Sequence, residues 1–454
     1  LSRGVEEEQT QDAQDDVQAF HEEDDGAGAQ FSRPALWEDS SAGGVSAVAV
    51  TQRLRLATPV DVTEAMRRGL VEVLASGQFS PGERVREFEE KLADYHGARH
   101  CIFVNSGTDA LRIALLAMKE KHGWPDHSKV LVPALTFVAT VNVILQANLT
   151  PLFVDVSMHD YTMNPWRYGH NSTGEEVPEL WRDVVAMIPV QLFGQDCDPK
   201  LYELAEKYNV AVLEDSCETI LNPLQGEIGC HSTYMAHHIA TGVGGFALTN
   251  DMELNGLLRS LANHGRDYVY IPGYTSPPLS EELLLRRFKF NRLGYSARGT
   301  EFEAALGLAQ LADLEKRVGT RRYIADKMTQ ALEDFTGDLL LPREDCRKNH
   351  TWMMYPIVLS ETSKLDRWQL CLHLEKAGIE TRPMMPITNQ PCYGFLLKPL
   401  RDSQHSWPVA DRVNAAGFYI PCHEKMTEAD VEHVKTAFKT FLSSNAVDRL
   451  RIAC

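Results

Sequence analysis

The middle of the chain alternates short apolar runs with segments whose apolar residues recur every three or four positions. ARHCIFVNS (98–106) reads as a strand, and the following SGTDALRIALLAMK as an amphipathic helix opened by small residues. KVLVPA (129–134) reads as a buried strand before the helical TFVATVNVILQA (136–147). PLFVDV (151–156), VVAMIPVQL (184–192) and VAVLEDS (210–216) are further β-rich runs, with the helical DPKLYELAEKY (198–208) between the last two. Such alternation predicts a mostly parallel, doubly wound α/β sheet. Farther on, STYMAHHIATGVGG (232–245) reads as a short polar-aromatic strand that ends in His237-His238, followed by a glycine-rich turn.

The texture changes near Pro342. YPIVLS (355–360), DRWQLCLHLEKAG (366–378) and EADVEHVKTAFKTFL (428–442) predict a smaller α+β domain. The expected organisation is a disordered acidic segment over 1–50, a large α/β domain over 51–340 and a small α+β domain over 341–454. No internal repeat of domain-building length is visible.

Charge sharpens the first boundary. Of the net −18, residues 1–40 supply −10, from twelve Asp/Glu against Arg3 and Arg33. This stretch has few large apolar residues, so it cannot offset the entropy of ordering and is expected to be disordered. It has no apolar run like that of a secretory signal and is too acidic for a transit peptide. The chain opens on Leu rather than Met, so a start farther upstream is expected. No Lys/Arg stripe marks a nucleic-acid surface. The apolar 130–147 is interrupted by Pro133, Asn142 and Gln146, which fits a strand plus helix better than a membrane span. Nine scattered cysteines form no CxxC and no zinc framework, so reduced thiols, no metal and a cytoplasmic, soluble protein are expected.

In a doubly wound sheet, ligands bind beyond the carboxyl ends of the strands. NSGTDAL (105–111) opens a helix there with free N–H groups and the Thr108 hydroxyl, a cradle for phosphate. EDSCE (214–218) closes another strand with buried acids. Taken singly, each has an ordinary reading as well: a tight turn with a Thr cap, or an Asp N-cap.

The order of these segments is more specific. Together with VPALTFVAT, IPVQLFGQDCDP, GGFALTNDMEL, LANHGRD, GYSARGTEFEAALGLAQL and ETRPMMP, they make the chain resemble the DegT/DnrJ/EryC1/StrS family of fold-type I pyridoxal-phosphate enzymes, from about residue 77 to 434. The resemblance implies that Gly107, Thr108 and Ser232 hold the phosphate of pyridoxal or pyridoxamine 5′-phosphate. It implies that Phe137 stacks on the pyridine ring, Asp215 faces the ring nitrogen and Glu218 faces the ring hydroxyl. A carboxylate at the nitrogen keeps it protonated, which makes the ring an electron sink. Glu218 beside a phenolate is expected to share one proton with it.

The family's aminotransferases carry a cofactor-binding lysine where this chain has His237, five residues after Ser232. No lysine occurs between Lys207 and Lys289, so a shift of register does not restore it. An imidazole forms no stable covalent link to the cofactor but moves protons near neutral pH. His-for-Lys resembles the family's 3-dehydratases, which remove the C3 hydroxyl of a nucleotide-linked 4-keto-6-deoxy sugar. The resemblance thus implies a nucleotide-sugar substrate, His237 as base and glutamate as amino donor. An aminotransferase tolerating His237 and a cofactor-binding pseudoenzyme are the alternatives. The iron–sulfur type of dehydratase is not matched. Cys217 fits one ligand position, but Tyr268 and Tyr270 stand at two others, so no cluster is expected.

Three departures accompany the resemblance. The segment 219–231 is shorter than usual, Ser296 stands where an Asn usually reaches the partner subunit's phosphate, and 268–290 is an unusual insert. The resemblance implies a homodimer, with Ser296 and the nearby Arg298 supplied across it.

Overall fold

The computed structural model describes residues 53–169, 175–266, 280–286, 288–342, 349–384, 386–402 and 406–452. The acidic segment 1–50, Tyr268, Tyr270 and much of the 268–290 insert lie outside the described residues.

Seven strands form the main sheet: β1 (His100–Val104), β2 (Lys129–Pro133), β3 (Thr150–Val154), β4 (Val184–Met187), β5 (Ala211–Asp215), β6 (Ile228–Ser232) and β7 (Gly245–Thr249). Their order is β1-β7-β6-β5-β4-β2-β3. The fold is α/β as expected, and β3, β2, β4, β5 and β6 pair in parallel. β7 departs from this, running antiparallel to both β1 and β6. The link from β6 to β7, residues 233–244, contains no helix. A parallel pair needs a crossover, usually helical, whereas an antiparallel pair is closed by chain that simply folds back.

The expected strand through 232–238 is likewise cut short. β6 stops at Ser232, and residues 234–239 turn back on themselves, the His237 N–H donating to the Tyr234 carbonyl at 2.9 Å. The Thr233 N–H still reaches Gly244 at 3.0 Å, so the excursion is pinched shut at its base. The two histidines therefore sit on a tight turn and not on a strand.

Helix Gly107–His122 packs on the sheet through Ala110, Leu111, Ile113, Ala114, Leu115 and Met118, all buried. Each of the larger ones contributes ~1.5–3 kcal/mol relative to exposure, which fixes where the helix begins. The chain after Thr300 forms two successive helices, Glu301–Leu311 and Leu314–Leu332. Asp313 leaves helical geometry (φ −107°, ψ 5°), and Arg317 Nη2 donates to the Gln310 carbonyl at 3.0 Å, satisfying an acceptor the break would strand.

A second, antiparallel sheet follows: β8 (Leu339–Leu340), β9 (Met354–Leu359), β10 (Arg382–Pro383) and β11 (Gly417–Pro421), ordered β10-β11-β9-β8. Apolar residues of both sheets belong to one buried cluster, including Val104, Leu213, Tyr355 and Phe418. No helix among the described residues is long and apolar enough to cross a membrane.

Candidate functional site

A cavity of about 710 Å³ opens at the carboxyl ends of β1 and β5. Gly107, Thr108, Phe137, Asp215, Glu218, Ser232 and His237 all line it, from positions up to 130 residues apart in the chain. Ser296 does not. It lies exposed outside the cavity, bridged through its backbone to Asn263, and Arg298 Nη2 donates to its hydroxyl at 3.2 Å.

One corner of the cavity is made of small residues for a steric reason. A Cβ on Gly107 would lie 2.8 Å from the Ser232 Cβ and 2.9 Å from the Cys217 sulfur, and one on Gly245 would lie 2.4 Å from the Gly107 nitrogen. Bare backbone is therefore required for these chains to meet. Ser106 caps the helix, its hydroxyl accepting from the Asp109 N–H at 3.0 Å. The Ser232 hydroxyl accepts from the Tyr234 N–H at 3.3 Å and keeps its own hydrogen to donate. Amide and hydroxyl donors at a helix N-terminus form an anion cradle.

Asp215 lies at the end of β5, buried. Its Oδ2 accepts from the Thr140 hydroxyl at 2.8 Å and its Oδ1 from the Cys217 N–H at 3.3 Å. Thr140 is in turn held by Thr136 at 2.8 Å. Burial raises the Asp215 pKa, while the Thr140 and Cys217 donors pull it back. A cation at the open side of this carboxylate would complete it. Phe137 stands just ahead of helix Val138–Gln146, the residue 67% exposed and lining the cavity.

Glu218 is the most pH-sensitive acid of the site. Burial lifts its pKa to about 7, the Phe193 N–H at 2.6 Å opposes this, and the charge of Asp215 adds to it. Phe193 adopts φ +58°, a left-handed conformation uncommon for a side chain of this size, and from it the N–H meets the carboxylate. On the facing wall burial, reinforced by the charge of Glu218, holds the Tyr419 phenol at about 12.

His237 is half-buried, and its Nδ1 lies 3.2 Å from the Tyr234 carbonyl. A carbonyl only accepts, so Nδ1 carries the hydrogen and Nε2 is left with its lone pair. Burial lowers its pKa to about 4; the Tyr234 carbonyl opposes this and the Arg321 charge adds to it. That guanidinium is fixed by Glu424 and by the carbonyls of Trp352, Met353 and Cys422. His237 thus separates the main cavity from a polar one of about 330 Å³ that Arg321 also lines. The neighbouring His238 is buried and donates from Nε2 to the Thr351 carbonyl at 3.1 Å, a packing role.

Arg55, Thr140, Glu380, Arg382 and Tyr419 lie outside the set of site residues expected from the sequence, although four of them line the cavity and Thr140 holds Asp215. Arg382 falls in ETRPMMP, a segment that carried the resemblance but received no role, and Thr140 in LTFVAT likewise. Arg55 and Tyr419 carry no local signal at all.

Comparison with known proteins places the chain in a family. The model of the DegT/DnrJ/EryC1/StrS aminotransferase family matches residues 60–439. GDP-perosamine synthase of Caulobacter vibrioides is 30% identical over 372 residues, covering 80% of this chain and 91% of that protein. GDP-4-keto-6-deoxy-D-mannose 3-dehydratase of Yersinia pseudotuberculosis is 29% identical over 328 residues, covering 69% and 80%. In fold, the chain superposes on the E. coli GDP-4-keto-6-deoxy-D-mannose-3-dehydratase with bound hydrated PLP. The TM-score is 0.72 at 23% identity, covering 85% of this chain and 99% of that one.

Proposed function

We propose that this protein, which belongs to the DegT/DnrJ/EryC1/StrS aminotransferase family, is a pyridoxamine-phosphate-dependent 3-dehydratase of a nucleotide-linked 4-keto-6-deoxy sugar. The observation that carries the reading is the pairing of a free His237 Nε2 with a cavity that no lysine lines among the described residues.

The residues present fit the cofactor. The bare-backbone corner of Gly107, with Thr108 and Ser232, suits its phosphate, Phe137 its ring face, Asp215 its ring nitrogen and Glu218 its ring hydroxyl. When bound, pyridoxamine phosphate supplies the amine that engages the sugar ketone and a ring that takes up electron density. Asp215, oriented by Thr140, stabilises positive charge at the ring nitrogen. His237 takes up a proton at Nε2. Because the half-buried imidazole resists protonation, the imidazolium is a strong acid and gives that proton to the departing C3 hydroxyl. Tyr234 keeps the ring in the tautomer that permits both transfers.

A sugar aminotransferase is the second reading, favoured by the 30% likeness to a GDP-perosamine synthase. Both readings give glutamate the place of amino donor. The discriminating experiment incubates the protein with pyridoxamine phosphate and GDP-4-keto-6-deoxymannose, or its UDP, CDP and dTDP counterparts, and identifies products by mass. A sugar lacking one oxygen is the expected result. An amino sugar that keeps its C3 hydroxyl would establish the aminotransferase, and no turnover at all a cofactor-binding partner protein.

The raised pKa of Glu218 has a measurable consequence. Below about 7 its carboxyl carries a hydrogen that it donates to the anionic ring oxygen; above, two anions face one another. Apparent affinity for pyridoxal phosphate is therefore expected to fall as pH rises through about 7. Glu218→Gln, always a donor, should flatten that step relative to the wild type. An unchanged step in the Gln variant, followed by absorbance titration, would locate the titrating group elsewhere.

A further inference from the structure

The wall of the cavity nearest the small sheet carries two guanidinium groups joined through one carboxylate. Leu54, only 5% exposed, anchors a short segment to the chain before β10. Its N–H donates to the Gly378 carbonyl at 2.8 Å and its carbonyl accepts from Glu380 at 2.9 Å. The Leu56 N–H donates to Glu380 Oε2 at 3.0 Å. Arg55, exposed between the two leucines, lines the cavity together with Leu56. The second oxygen of Glu380 accepts from Arg382 Nη2 at 2.5 Å, and Arg382 Nη1 donates to the Thr381 carbonyl at 2.8 Å. Thr381 is fixed in its turn, its N–H donating to Glu375 at 2.6 Å.

Arg382 is thus oriented and partly satisfied, while the exposed Arg55 has no side-chain partner among the described residues. The site's anions do not compete for it, since Asp215 is held by Thr140 and Cys217, and Glu218 by Phe193. In the Arg382–Glu380 pair the guanidinium is 51% exposed and the carboxylate 15%, so the positive end of the pair is the one left open to the cavity. A guanidinium presents planar donors that match carboxylate or phosphate oxygens two at a time.

We infer that Arg55 and Arg382 form an oxyanion clamp that recognises the charged group of the substrate. That group is either a carboxylate of the amino donor or the diphosphate of the nucleotide sugar. The inference rests on the proposed substrate class and not on which reaction follows. Glu380 is the positioning residue: one oxygen sets the segment that bears Arg55 and the other aims Arg382.

The test uses the cofactor-loaded full chain and two probes. Apparent affinity for L-glutamate is read from the spectral change as the cofactor is aminated. Affinities for GDP, UDP, CDP and dTDP are read separately by calorimetry. Arg55→Ala and Arg382→Ala are each expected to weaken at least one probe about tenfold or more, with Arg55→Lys recovering part of the loss. A loss confined to L-glutamate assigns the clamp to the donor carboxylate; one confined to the nucleotides assigns it to the diphosphate. Arg55 is exposed, so its variants are expected to fold and keep the wild-type melting temperature even where Arg382→Ala does not. Wild-type affinity for both probes in Arg55→Ala and Arg55→Glu overturns the clamp while leaving the substrate class intact. A wild-type protein that binds neither probe overturns the substrate class and the clamp together.

Discussion

Exchanging His237 for asparagine is expected to lower turnover about 10²–10⁴-fold while the cofactor still binds, the range that one positioned proton-transfer group supplies. The expectation rests on a division of labour within the cavity. The residues fitted to the cofactor, from Gly107 to Ser232, make no contact that the imidazole maintains, whereas the imidazole has its own support in Tyr234. Removing the ring takes away Nε2 and leaves the cradle standing. His237→Lys goes further, because it returns a primary amine to the same turn. Borohydride treatment is then expected to fix pyridoxal phosphate to residue 237, which it does not do in the wild type, and dehydration is expected to be lost. The burial that lowers the imidazole pKa to about 4 acts on an ammonium in the same direction, so the introduced lysine should be partly neutral and reactive. Mass analysis of reduced, digested protein reads the adduct directly. Undiminished dehydration by His237→Lys would mean that another group moves the proton, and a stoichiometric adduct on any lysine of the wild type would remove the basis of the mechanism.

What the sequence conveyed about this site, and what it did not, follows from the range of the interactions concerned. The strand ends that carry Gly107 and Asp215 were legible because hydrophobic period, small residues and a following helix are all local signals. The antiparallel β7 was not, since its direction depends on the link 233–244 folding back, which periodicity does not encode. The turn at His237 leaves no local signal for a related reason. STYMAHH has strand-like composition, but the chain leaves the sheet after Ser232, and the Tyr234 carbonyl then serves both the backbone and the ring of His237. The support of Asp215 by Thr140 spans 75 residues, and the meeting of Leu56 with Glu380 spans 324. Contacts of that separation leave no trace in a single sequence, so the place of Arg55 and Tyr419 at the cavity follows only from the folded small sheet.

Ser296 is the remaining residue of the expected set, and its position yields the second large effect. Seven of the eight meet in one cavity; Ser296 lies outside it, exposed beside Arg298, whose Nη2 also stands 3.4 Å from His264 Nε2. The Gly107 corner offers amides and hydroxyls, while the guanidinium groups among the described lining residues, Arg55 and Arg382, belong to the small-sheet wall. A phosphate dianion bound in that corner is therefore short of a cation among the described residues of its own chain. A twofold dimer supplies one if each subunit turns its Ser296–Arg298 segment into the other's cavity, because an isologous interface repeats the contact twice. Ser296→Trp and His237→Ala chains are each expected to be nearly inactive alone. Co-assembled at random, half the dimers are mixed and each holds one intact site, so about a quarter of wild-type activity should return. Differently tagged chains purified in tandem give the mixed dimer itself, for which half of wild-type activity is the ceiling on the same reasoning. Absence of recovery in that purified species would mean that each cavity is completed by its own chain, and the missing cation would then have to come from the residues around Arg55.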